Sequence, residues 1–371
     1  MLHTLRDVWH MAKGNILYIT TMRHNVSAEK IRVKYFKQAL INAGYNVIDY
    51  ELRIGRLNKF VWYLTKFLPK RLVNASRNAD LIISTSPPLL NTIIGYKIAK
   101  KLKIPLIVDI RDIWEEYAKT KYHSPYFTWF IKSIIRDYYE ALMYSSKIIV
   151  TTNHMRRYYE EILGIGKKIV VISNGTDPDI IKCSEGICRD YDLVYLANFN
   201  SPYHGMEFLL RALKGSELSL IIIGSGKYLR TIKKEIQKLR LNNKILFTGS
   251  IPFEKLSSYL CRAKVGVVGR PFEYNPQYLY TIPVKIYDYL AAGLPVAGYG
   301  PRNSAIEEFI YIHSIGVYIS KKDPLTMASA LANLINYSDK YREKARSLAL
   351  LYDRKRISLK ILGIVTKLLT K

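Results

Sequence analysis

Lys285 and Asp288 stand three residues apart in Pro283-Val284-Lys285-Ile286-Tyr287-Asp288-Tyr289-Leu290-Ala291-Ala292-Gly293-Leu294-Pro295-Val296, a cation and a carboxylate set among apolar residues. Pro283 suits a first helical turn and Gly293 ahead of Pro295 suits a stop, so the spacing predicts a helix of roughly ten residues. The N–H groups at the start of such a helix carry partial positive charge, and Lys285 adds a full one, which together favour a phosphate. Asp288, one turn further on, is within reach of a hydroxylated group such as ribose. The same spacing also fits a packing helix with a solvated Lys and Asp.

Two more segments could carry chemistry. Ile223-Gly224-Ser225-Gly226-Lys227 follows an apolar run and precedes a helical pattern, so its backbone can approach a phosphate or nucleoside closely, although a plain tight turn reads the same way. It is not a Walker loop: no glycine sits five residues before Gly226, Tyr228 replaces the required Ser or Thr, and the third glycine of the dinucleotide fingerprint is missing. Asp109, Arg111 and Asp112 close another apolar run, where a salt bridge and a reactive cluster are equally open readings. Neither the seven histidines nor the three cysteines, Cys183, Cys188 and Cys261, show metal-ligand spacing.

The elements that would position these groups are short apolar runs alternating with helical patterns. The runs are 15–19, 46–50, 81–84, 105–109, 147–150 and 168–172, then, after a polar stretch from Asp177 to Tyr191, 193–196, 218–223, 244–247, 265–268, 295–297 and 317–319. Continuously apolar strands separated by helices predict parallel sheets covered on both faces. A chain of 371 residues exceeds one hydrophobic core, so two doubly wound domains with a cleft between them are expected.

The Pro283–Val296 segment resembles the "P-S-K-x-x-E-Y-x-A-x-G-x-P-V" signature of retaining GT-B glycosyltransferases of family 4, the group 1 transferases. Three further segments resemble that family in the right order. Residues 79–88 with 108–114 are similar to its "D-V-V-x-x-S-P-P … R-D-L-W" pair, 171–177 to its "I-P-N-G-V-D" linker, and 193–213 to the strand and helix that open its C-terminal domain.

The resemblance implies two Rossmann-like domains facing an interdomain cleft: an acceptor-binding domain over 1–180, a donor-binding domain over 181–350, and a C-terminal helix, 351–371, crossing back onto the first. It makes Gly224 and Gly226 the "G-x-G" loop of the donor domain and the turn at Ile251 a nucleobase-binding turn. It places Val284, Lys285 and Asp288 at the donor diphosphate and ribose, and Asn198 and His204 near the positions of the family's usual Arg and Lys. Those two cations are missing, so Lys285 and Arg270 are the expected replacements. The E-x7-E pair is also degenerate, with Tyr280 in the first position and Asp288 in the second. Asp112, next to Arg111, becomes the polar group facing the donor sugar and the acceptor hydroxyl, and the catalytic residues expected are Asp112 and Lys285. Asp177-Pro178-Asp179 imitates the D-x-D metal motif of the other large glycosyltransferase fold, but it follows the Asn-Gly turn at the linker. No metal and no cofactor are expected in this hexosyltransferase-type (EC 2.4) reaction.

A net charge of +27, shared almost evenly between the halves, implies an anionic partner. A nucleotide-diphosphate-sugar donor, a glycan or lipid-linked acceptor and an anionic membrane surface all qualify. Between Arg53 and Arg71 six cations and no carboxylate surround Phe60, Trp62 and Phe67, the pattern of an interfacial helix or of a core-facing one. With no signal-peptide profile, no membrane-spanning run and an odd number of cysteines, a reducing cytoplasm is expected, with peripheral attachment to the inner membrane face. The alternative is a basic nucleic-acid-binding protein; evenly spread charge without a binding module argues against it, and no specific nucleic acid is expected.

Overall fold

The computed structural model describes residues 13–21, 28–52, 68–121, 125–184, 186, 188–200 and 205–370. The chain divides into two units, Met1–Ile172 with Ser358–Lys371, and Ser173–Ile357.

In unit 1 six parallel strands run in the order β2-β1-β3-β4-β5-β6: β1 Asn15–Thr20, β2 Asn46–Glu51, β3 Leu81–Ser86, β4 Leu106–Ile110, β5 Lys147–Val150 and β6 Ile169–Val171. All of β3 and β4 is buried, which is why these segments read as unbroken apolar runs. The order reverses between β1 and β3, so the strand ends that matter are those of β1, β3 and β4. The final helix, Lys360–Leu369, belongs to this unit and packs on the helix Ala28–Asn42, with Tyr45 and Thr366 hydroxyls 3.0 Å apart.

In unit 2 the order is β12-β11-β10-β7-β8-β9, again parallel: β7 Tyr191–Asn198, β8 Leu220–Ser225, β9 Ile245–Gly249, β10 Ala263–Gly269, β11 Val296–Tyr299 and β12 Gly316–Ile319. This is the dinucleotide-fold order, with its switch point between β7 and β10. Separate apolar clusters fill the two faces of the sheet, one around Tyr289 and Leu290 and the other around Tyr195 and Tyr299.

Two local expectations are corrected. The helix after Pro283 spans Lys285–Ala291, seven residues, because its first turn closes through i to i+3 bonds from Ile286 to Pro283 and from Tyr287 to Val284. The N–H groups of Ile286 and Tyr287 are thereby occupied. The helix stops as expected at Gly293, which sits at φ 70°. The cysteines also differ from expectation: Cys183 and Cys261 form a disulfide, with Cα atoms 5.5 Å apart, leaving Cys188 free and exposed. The polar segment after Asp177 returns to the start of β10, a proximity that sequence spacing does not reveal.

Candidate functional site

At the switch point of unit 2 the pairing of β7 with β10 runs as far as Gly266↔Val194 and then stops. Beyond it the hydroxyl of Tyr289 fills the gap, accepting from the Leu196 N–H at 2.8 Å and donating to the Val267 carbonyl at 3.0 Å. Gly266 makes room, since a Cβ there would lie 2.4 Å from the Tyr289 ring. The Leu196 carbonyl accepts from the Lys285 ammonium, which lies 4.5 Å from the centroid of the Tyr195 ring. Lys285 and Tyr289, one turn apart on a short helix, therefore grip the two peptides on either side of Leu196 at the mouth of the sheet.

Among the described residues no carboxylate pairs with Lys285. Burial pushes its ammonium down to about 7, and the Arg270 guanidinium adds to the shift. Arg270, just past the end of β10, donates to Thr281 Oγ1 at 3.2 Å and stands 5.8 Å from the centroid of the Tyr278 ring. Two cations facing one another in a low-dielectric corner favour a bound anion.

The loop after β8 fits closely against the end of β7. A Cβ on Gly224, at φ 140°, would meet the Ala197 carbonyl at 1.9 Å, and one on Gly226, at φ 149°, the Phe199 backbone at 2.4 Å. Backbone bonds from Phe199 to Ser225 and from Tyr228 to Phe199 complete the contact. Ser225 and Ser250 hydroxyls lie 2.6 Å apart, which brings the turn before the half-buried Ile251 beside this loop. Asn198 is exposed and its Oδ1 accepts from the Asn200 N–H at 3.2 Å, so it shapes the turn. Val284 caps the Lys285–Ala291 helix. His204 lies outside the described residues.

Asp288 has a different set of partners. It is 6 % exposed, its Oδ1 accepts from Thr176 Oγ1 at 2.9 Å, and Arg354 Nη2 lies 3.5 Å from the same oxygen. Thr176 and Arg354 belong to the segments by which the chain enters and leaves unit 2, paired through the Arg354 N–H and Thr176 carbonyl at 2.9 Å. Burial pushes the Asp288 carboxyl up to about 6, against the opposing pull of Arg354 and Thr176.

In unit 1, Asp109 is fully buried and takes the Arg32 guanidinium at 2.9 to 3.3 Å, while Arg32 also donates to the Ile172 carbonyl at 3.0 Å. Arg111 is buried and donates to the Pro87 carbonyl at 2.8 Å. Asp112 is half-buried, and its carbonyl accepts from the Trp114 N–H. Phe60, Trp62 and Phe67 lie outside the described residues.

Residues 190–337 match the family described as Glycosyl transferases group 1, and residues 19–180 match Glycosyltransferase Family 4. The chain belongs to the group 1, family 4 glycosyltransferases. Among its relatives is an uncharacterized glycosyltransferase of Methanocaldococcus jannaschii, 22 % identical over 66 % of this chain and spanning 62 % of that protein's length. The fold is GT-B, two Rossmann-like units in one chain. It is similar to that of sucrose-phosphate synthase from Thermosynechococcus elongatus (TM-score 0.75, 16 % identity, 96 % of this chain and 99 % of the other). It is also similar to that of Anabaena HepE in complex with UDP-glucose (TM-score 0.70, 16 % identity, 96 % and 100 %).

In this family 4 chain one acid stands out that sequence reasoning passed over. Glu115, three residues after Asp112, is fully buried; its Oε1 accepts from Tyr159 OH at 2.6 Å and its Oε2 has no hydrogen-bond partner among the described residues. Burial pushes its carboxyl up to about 7. The adjacent Glu116 takes Tyr158 OH at 2.6 Å, so part of the tyrosine abundance serves to hold an acidic pair. Among the described residues no group of three or more His, Cys, Asp and Glu side chains could hold a metal ion, and no helix is long and apolar enough to cross a membrane.

Proposed function

We propose that this protein transfers a hexosyl group, with retention of anomeric configuration, from a nucleotide-diphosphate-sugar to a glycan or lipid-linked saccharide acceptor (EC 2.4). The observation that carries the reading is Lys285: a cation with no carboxylate partner among the described residues, beside Arg270, at the switch point of a dinucleotide-fold unit. Family membership and the UDP-glucose complex of HepE support a nucleotide sugar as the anion. Unit 2 takes the donor, with Lys285 and Arg270 on the diphosphate, the Gly224–Gly226 loop and Ile251 turn toward the nucleoside, and Asp288 toward the ribose.

The anomeric carbon loses its bond to the diphosphate oxygen and gains one to the acceptor oxygen on the same face. The acceptor proton passes to the departing phosphate, and negative charge grows on that group. Lys285 and Arg270 stabilise it without a metal ion, more strongly in the transition state than in the ground state. Unit 1 takes the acceptor, and Asp112 orients its hydroxyl. The +27 charge supports a reaction at the cytoplasmic face of an anionic membrane.

The test is incubation with a panel of UDP-, GDP-, ADP-, CDP- and TDP-sugars, following nucleotide release and the anomeric configuration of the product by NMR. Release from one donor, with an α-donor giving an α-product and activity kept in excess EDTA, supports the proposal. An inverted product overturns retention, and no release from any donor overturns the activity.

A further inference from the structure

Glu115 is the second residue of the helix Trp114–Lys121 and is fully buried, while its neighbour Glu116 pairs with Lys119 at 2.5 Å. Among the described residues Glu115 makes no ion pair, and what holds it is a set of hydroxyls. Tyr159 OH, on the helix Asn153–Leu163, donates to its Oε1 at 2.6 Å. Ser86 Oγ, at the end of β3, donates at 3.2 Å to the hydroxyl of Tyr138 on the helix Pro125–Tyr144. The Tyr138 and Tyr159 hydroxyls are hydrogen-bonded to each other as well. A hydroxyl has one proton to give. With the Tyr159 proton on Glu115 and the Ser86 proton on Tyr138, the Tyr138 proton is left for Tyr159, so three hydroxyls point one way along a chain that ends on the carboxyl. All four side chains are fully buried.

The two ends of this chain are joined a second time through the backbone. The Arg111 N–H donates to the Ser86 carbonyl at 2.9 Å, and Arg111 Nη2 to the Pro87 carbonyl at 2.8 Å. A ring is thereby closed: from Ser86 through Tyr138 and Tyr159 to Glu115, back along Trp114 and Ile113 to Arg111, and across to Ser86. Asp112 is carried on the short arc between Arg111 and Glu115, where its carbonyl accepts from the Trp114 N–H at 3.0 Å. A residue carried between two fixed points is hard to displace, and a misplacement of about 1 Å at a reacting centre can cost on the order of a hundredfold in rate.

We propose that Ser86, Tyr138, Tyr159 and Glu115 are positioning residues that set the place of Asp112. The step rests on the proposed function, in which Asp112 orients the acceptor hydroxyl. Burial pushes the Glu115 carboxyl up to about 7, and its Oε2 has no hydrogen-bond partner among the described residues. The protonated acid is therefore the form that fits, and ionisation leaves a desolvated charge that loosens the anchor. The titratable groups around it are Glu116 and Lys119 on its own helix, Tyr138 and Tyr139 on the helix Pro125–Tyr144, and Tyr158 and Tyr159 on the helix Asn153–Leu163. Glu116 favours the neutral acid, Lys119 opposes it, and the four tyrosines, each pushed up by burial, stay neutral.

The experiment compares wild type with Tyr159→Phe, Ser86→Ala and Glu115→Gln by two readouts. One is hydrolysis of the nucleotide sugar selected by the donor panel, with water in the place of the acceptor. The other needs no substrate: 19F NMR of the full chain labelled with 5-fluorotryptophan, reading the resonance that Trp114→Phe removes. Tyr159→Phe and Ser86→Ala are each expected to lower kcat at least fivefold, with donor KM changed less than twofold, and to shift or broaden the Trp114 resonance. Glu115→Gln keeps an acceptor for Tyr159 and cannot ionise, so its kcat relative to wild type is expected to rise at least threefold from pH 6 to pH 8. An unmoved Trp114 resonance in Tyr159→Phe and Ser86→Ala overturns the ring. A moved resonance with wild-type kcat overturns the positioning role, as does a kcat that falls only in step with the folded fraction. A ratio for Glu115→Gln that stays constant with pH removes Glu115 from the set. A moved resonance in a protein that hydrolyses no donor upholds the hold on this segment and rejects the transferase reading.

Discussion

Arg354 Nη2 lies 3.5 Å from Asp288 Oδ1, and both side chains are buried. The carboxylate proposed for the ribose therefore also ties the Lys285–Ala291 helix to the segments entering and leaving unit 2. Removing one partner of a buried pair leaves a charge without compensation, which typically costs about 3 kcal/mol or more. Asp288→Ala should accordingly lower the melting temperature as well as nucleotide affinity. Adding Arg354→Met should restore part of the stability and none of the affinity. A melting curve for Asp288→Ala that overlays wild type would show that the pair contributes nothing.

Glu115 gives the clearest pH signature. Its carboxyl is pushed from 4.5 up to about 7, so between those values the native state holds a proton that the unfolded chain has released. The stabilising protonation is complete below the unfolded value and is lost as pH rises through 7. Glu115→Gln keeps an acceptor for Tyr159 and cannot ionise. Its melting temperature should match wild type near pH 5 and exceed it at pH 8, by up to roughly 3 kcal/mol in stability terms. A difference that stays constant from pH 5 to pH 8 would remove the buried charge from consideration.

The Cys183–Cys261 bond closes a loop of 78 residues within unit 2. By loop entropy it stabilises that unit by up to roughly 4 kcal/mol. A reductant should therefore lower the melting temperature and expose two additional thiols to titration, while Cys188→Ser should change neither. Two extra thiols with an unchanged melting temperature would contradict the stabilising role.

The twelve strands among the described residues were legible, most of them because buried parallel strands are continuously apolar, and runs such as Leu81–Ser84 and Val265–Val268 carry that mark directly. The glycines of the 224–226 loop were legible for a related reason, since the structure leaves no space there for a Cβ. Other features depend on what meets in space. The reach of Tyr289 to Leu196 and Val267, the grip of Asp288 on Thr176 and Arg354, and the disulfide all join residues more than twenty positions apart, and no local pattern encodes them. The Lys285–Ala291 helix is shorter than its sequence suggests, because the carbonyls of Pro283 and Val284 tighten its first turn. Glu115 went unnoticed because a glutamate beside another glutamate on a short helix reads as solvated surface, although it is fully buried.

The most direct test of the donor site is isothermal titration of the nucleotide diphosphate selected by the donor panel, against wild type and Lys285→Ala. With its ammonium pushed down to about 7, Lys285 is increasingly neutral above that pH. A bound diphosphate favours the charged form, so binding should take up a proton at pH 8 and weaken from pH 7 to pH 9. Lys285→Ala should bind at least tenfold more weakly at pH 7 and show no such proton uptake. Wild-type affinity in Lys285→Ala, with the same pH dependence, would contradict a donor site at this lysine.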